Sequence, residues 1–136
     1  MQQPATLTYR VGGYDLAQLD MAGLNSAFDA EVKTGRLSYT DASWNTTGAN
    51  LGRWLYSRGV QSNHIHHIDA RDSVGKTQLE LQARKRLLSL YRFLRKQPGL
   101  EDLTIEYVAP ECGVRETVTI CGEATVTVHD YQSDHL

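Results

Sequence analysis

The residues of this chain that could do chemistry fall into a few groups. The run Asn63-His64-Ile65-His66-His67-Ile68-Asp69 brings three imidazoles and a carboxylate together. Those side chains can ligate a divalent metal, move a proton near neutral pH or hold a polar ligand. Arg115-Glu116 is an isolated charged pair directly after the breaker-rich Pro110-Glu111-Cys112-Gly113. A guanidinium there can clamp a carboxylate or phosphate through two parallel hydrogen bonds, or pair with a neighbouring acid and fix the corner of a strand. Cys112 and Cys121 are the only cysteines, and their spacing lacks the two-residue pairing of a zinc site. They read as buried or half-buried thiols in a reducing compartment.

Each group needs an element to aim it. Val60 to Ile68 has strand composition, and alternation puts His64 and His66 on one face and His67 with Asp69 on the other. At most two imidazoles point together, so a metal would need ligands from elsewhere, and a hydrogen-bonded or solvent-facing pair is the commoner arrangement. No metal is expected. A clustered polar strand face suits contact with a small-molecule substrate, which makes His64 and His66 the candidate substrate-binding residues. The catalytic residue is not identifiable. From Gly113 to Tyr131 two alternating β-branched runs meet at Cys121-Gly122, so Arg115 and Glu116 stand at the start of an expected strand.

In chain order, Ala5 to Val11 alternates with Leu7, Tyr9 and Val11 on one face, and Gly12-Gly13 ends the strand. Asp15 or Asp20 caps a helix carrying Leu16, Leu19, Leu24, Phe28 and Val32, which closes at Gly35 and can break near Asp20. Residues 36–50 read as a polar loop with a short strand around Leu37 to Tyr39, in which Trp44 is placed to cover a partner surface. Leu51 to Ser57 and Val60 to Ile68, joined at Arg58-Gly59, read as a β-hairpin. Thr77 and Glu80 read as a capping box opening a long helix, whose Ala83, Leu87, Leu90 or Tyr91, and Leu94 form an apolar stripe. Arg92, Arg95 and Lys96 complement that helix's negative end, and Pro98-Gly99 stops it. Leu103 to Ala109 is a further strand. The order predicts an α+β fold, a mixed and mostly antiparallel sheet with two main helices packed on it, as a single domain over 1–136.

Composition excludes several classes of function. The chain has 136 residues, 40% hydrophobic and 22% charged, with a formal net charge of -2. That is ordinary for a globular domain, and the lack of a basic excess argues against nucleic acid as a partner. No apolar stretch approaches the roughly 20 residues that cross a bilayer. The N-terminal MQQPATLTYRV is not built like a signal peptide, which points to a cytoplasmic protein.

Taken together, Gly113-Val114-Arg115-Glu116 followed by Ile120, Gly122, Glu123, Thr127 and Asp130 resembles a motif of a bacterial FAD-dependent oxidoreductase family. Three further segments are similar to that family. They are Gln3 to Leu7 with Arg10, Gly12, Gly13 and Asp15; Thr77, Glu80 and Arg84; and Arg92-Phe93-Leu94-Arg95 with Pro98-Gly99. Where the family carries two basic residues and an aromatic, this chain has Val118, Thr119 and Ala124. The resemblance implies a flavoenzyme with FAD as cofactor, and places Arg115 and Glu116 near the flavin or the substrate. No G-x-G occurs in the chain, so FAD is not expected to be held by a Rossmann turn here. The implied role is a substrate or cap domain whose partner is an FAD-binding domain of the same polypeptide, with the family continuing beyond Leu136. The alternative is a stand-alone ligand- or metal-binding module using His64 and His66.

Overall fold

The computed structural model describes residues 4–59, 63–115 and 122. The expected strand pair from Gly113 to Tyr131 therefore lies almost wholly outside the described residues, as do Glu116 and Cys121.

The N-terminal ribbon is the centre of the fold. β1 (Ala5–Leu7) and β2 (Tyr9–Gly12) follow one another, with Ala5, Leu7, Tyr9 and Val11 buried and the residues between them turned outward. This is the period of two expected for a half-buried strand. β1 pairs antiparallel with β3 (Asn63–Ile65), and β2 pairs antiparallel with β4 (Thr104–Val108) across an irregularity between Arg10 and Val11. The described strands thus form two short antiparallel ladders with helices packed against them, an α+β architecture.

α1 (Met21–Lys33) starts at Asp20, whose carboxylate accepts the Gly23 N–H at 3.0 Å, and a short 3-10 turn over Leu16–Gln18 has its own cap in Asp15. The break expected near Asp20 is therefore real, with one acidic cap for each piece. Gly35 takes φ +75 just past the Thr34 C-cap, the left-handed conformation that ends many helices. α3 (Ser73–Leu94) lays Leu79, Ala83, Leu87, Leu90 and Leu94 on the core. Burial of each leucine of that set stabilises by roughly 1.5–3 kcal/mol.

Three expectations need correction. Leu51 to Ser57 is not a strand but α2 (Leu51–Tyr56), capped by Asn50, with Leu51, Trp54 and Leu55 buried. That is helical spacing, and the Trp54 indole is held by a 3.1 Å hydrogen bond to the Tyr9 hydroxyl. Consequently there is no hairpin at Arg58-Gly59; both residues have positive φ and turn the chain out of α2. Leu37 to Tyr39 forms no strand, because Ser38 caps a 3-10 turn over Tyr39–Asp41. Thr77 and Glu80 do not open α3, which starts a turn earlier at the Asp72 cap. Gly75 permits this: a Cβ there would lie 1.6 Å from the Asp69 carbonyl oxygen. Among the described residues no helix is long and apolar enough to cross a membrane.

Candidate functional site

The outward face of β1 is the floor of the candidate site. The Thr6 N–H and C=O are both taken by Gly113, at 3.0 Å and 2.8 Å, while Thr6 faces His64 in the other ladder. With Thr6's backbone groups directed at Gly113, Thr6 and His64 form a non-hydrogen-bonded antiparallel pair, the type whose side chains approach most closely. Thr6 Oγ1 and His64 Nδ1 accordingly meet at 3.3 Å.

A cleft of about 490 Å³ opens over this face, walled by Thr6, Thr8, Trp44, His64, Val114 and Arg115. Two residues flagged from sequence, His64 and Arg115, are brought into one place, and Trp44 joins them from the polar loop. The indole is 73% exposed. None of the described lining residues is acidic, and among the described residues no carboxylate pairs with Arg115.

His66 is not part of this wall. β3 ends at Ile65, and His67 turns the chain with φ 62, so the alternation expected through residue 68 stops before His66. His66 instead lies beside His67, with ring centroids 5.9 Å apart, and its Nε2 is buried with no hydrogen-bond partner among the described residues. Burial, the neighbouring His67 and the Arg86 charge hold its pKa below the ordinary imidazole value. Among the described residues no group of three or more His, Cys, Asp or Glu side chains could hold a metal ion.

Two supports of the cleft were not apparent from sequence. Arg86 is a largely buried cation on α3 that pairs with the buried Asp41, contacts Thr40, and donates to the His64 carbonyl at 3.0 Å. It ties the strand carrying His64 to the turn before Trp44. Glu80 accepts the Cys112 N–H at 2.5 Å and pairs with Arg84, which donates to the Pro110 carbonyl at 2.8 Å. This clasp holds the chain just ahead of Gly113 and Arg115. Burial pushes the Glu80 carboxyl up, but the Cys112 N–H and Arg84 outweigh it and keep it below the usual carboxylate range. The Cys112 thiol is pushed up to about 12 by burial and by the Glu80 charge.

The chain belongs to the FAD dependent oxidoreductase family, whose model matches residues 1–135. No curated protein and no solved structure matches it. Family membership associates the chain with flavin chemistry, but its described residues do not fit the phosphates of a dinucleotide. Helix N-termini bind pyrophosphate through free N–H groups, and here α1 and α3 are closed by the carboxylates of Asp20 and Asp72. Gly75, at the start of α3, is spent on the approach to Asp69 rather than on a phosphate.

Proposed function

We propose that this chain is the substrate or cap domain of an FAD-dependent oxidoreductase, with the cleft over β1 facing the flavin and contacting a small-molecule substrate. An FAD-binding domain of the same polypeptide holds the cofactor and supplies the redox chemistry. The observation that carries this reading is the convergence of His64, Trp44 and Arg115 on one cleft, in a chain whose helices α1 and α3 are closed at their N-termini by Asp20 and Asp72. A sheet with one face on its helices and the other lined by a guanidinium with no ion pair among the described residues, an imidazole, two hydroxyls and an open indole is suited to close over a ligand held from the other side. Glu116, which the resemblance pairs with Arg115 near the flavin or the substrate, is assigned that role in this proposal.

The test is to purify the full-length gene product alongside the 136-residue chain and dialyse both against FAD. The full-length protein retains stoichiometric flavin and its absorbance, and the chain alone retains none. A colourless full-length protein sinks the proposal.

A further inference from the structure

The lining of the β1 cleft selects a ligand class, an inference that rests on reading this cleft as the substrate face. Its charged and polar groups are one guanidinium, one imidazole and the hydroxyls of Thr6 and Thr8, with no carboxylate among the described lining residues. The whole chain carries 16 acids against 14 Lys and Arg, so the lack of acids among the described lining residues is not a consequence of composition. Its cation is also without an ion pair among the described residues. Arg10, Arg36, Arg58, Arg71, Arg84 and Arg86 are each in an ion pair; Arg115, like Arg53, Arg92 and Arg95, is in none among the described residues, and of these four it alone lines the cleft. A guanidinium presents a planar fork of donors that matches a carboxylate through two parallel bonds.

Another lining residue supplies the second criterion. Trp44 is 73% exposed on a loop that is otherwise small and polar, and a flat π-face of that kind favours an offset-stacked ring. The volume of about 490 Å³ falls within the roughly 300–1,000 Å³ typical of small-molecule sites. We infer that the cleft binds a planar small molecule bearing a carboxylate, with Arg115 pairing the anion and the Trp44 indole covering the ring.

Benzoate, benzyl alcohol and inorganic phosphate are the probes, titrated into the 136-residue chain while tryptophan fluorescence is followed. Trp54 is buried and hydrogen-bonded to Tyr9, so the signal from a cleft ligand comes from Trp44. The expected result is saturable quenching by benzoate, weakened at least tenfold by Arg115→Gln and partly restored by Arg115→Lys. Benzyl alcohol binds at least tenfold more weakly than benzoate. Circular dichroism establishes that the variants are folded, and Trp44→Leu, followed by calorimetry, weakens benzoate but not phosphate. Equal affinity for benzoate and benzyl alcohol, indifference to Arg115→Gln, or no saturable binding overturns the inference. Phosphate bound as tightly as benzoate overturns the planar-carboxylate assignment in favour of a bare oxyanion site. None of these outcomes alters the flavin content of the full-length protein, so this inference and the cap proposal fail separately.

Discussion

Thr6 and Gly113 exchange both of their backbone hydrogen bonds, which fixes the residue two before Arg115 onto the strand opposite His64. The arginine and the histidine, 51 positions apart in the sequence, reach one cleft because a single threonine is paired on both of its edges. The geometry of the cleft therefore depends on what holds Pro110 to Gly113 in place and on what holds β3, and those supports can be tested one at a time.

The Glu80 clasp is the first. Glu80→Ala removes the acceptor for the Cys112 N–H and the partner of Arg84. The site is partly exposed, so the expected loss of stability is about 1 kcal/mol. The more diagnostic readout is hydrogen exchange, in which the Cys112 and Gly113 amides exchange faster while those of α1 do not. Unchanged protection at both amides would show that the clasp does not position the segment.

Arg86 is the second. Asp41 is only 4% exposed, and Arg86→Ala leaves its carboxylate buried without a cation, a loss of roughly 3–5 kcal/mol. Urea denaturation measures it. Because the penalty comes from the orphaned charge, the double substitution Asp41→Leu, Arg86→Met recovers most of the loss, whereas independent contributions would make the double variant worse than either single one.

Stability should also follow the His66 imidazole. Its folded pKa lies below the ordinary value of 6.5, so between those two values the unfolded chain binds more protons than the folded one, and stability rises with pH. The gain is complete above about 6.5 and is lost on going down through that window. Asp69 and Glu80 are both held low, and their stabilising contributions are lost only at more acid pH, below the ordinary carboxylate values. Denaturant midpoints taken across this range should lose their slope just below pH 6.5 in His66→Gln; a slope that persists there belongs to another group.

The Cys112 thiol should be inert. With its pKa pushed up to about 12 from 9.0, its thiolate population near neutral pH is about a thousandfold below that of an ordinary cysteine. Iodoacetamide labelling read by mass spectrometry of the Cys112 peptide should be negligible in the folded chain and rapid in urea. Fast labelling of the native protein would contradict the buried placement.

Local signals in the sequence translated well into structure. The Ala83, Leu87, Leu90 and Leu94 stripe, the Asp20 cap and the Gly35 stop each depend on neighbours within a few residues, and all three are visible in the letters. α2 was not, because six residues are too few to form a helix unaided; its Leu51, Trp54 and Leu55 are helical by virtue of the core and the Tyr9 hydroxyl they meet. The Thr77 and Glu80 pair has the letters of a capping box, yet Asp72 and Gly75 start α3 first and free Glu80 to reach Cys112. His64, Trp44 and Arg115 were each recognisable as unusual. That they share a cleft was not, since it depends on Thr6 pairing with both His64 and Gly113. The Arg86–Asp41 pair spans 45 residues and leaves no local trace.

The central claim is that the Trp44 face of this chain lies over the flavin, and iodide quenching of tryptophan fluorescence tests it most directly. In the 136-residue chain Trp44 is open to solvent and should be strongly quenched, while Trp54 is shielded. In the full-length protein with FAD bound, the account predicts that the Trp44 contribution, isolated by comparison with Trp44→Phe, becomes several-fold less accessible to iodide. Quenching of Trp44 as strong in the flavin-loaded protein as in the chain alone would contradict it.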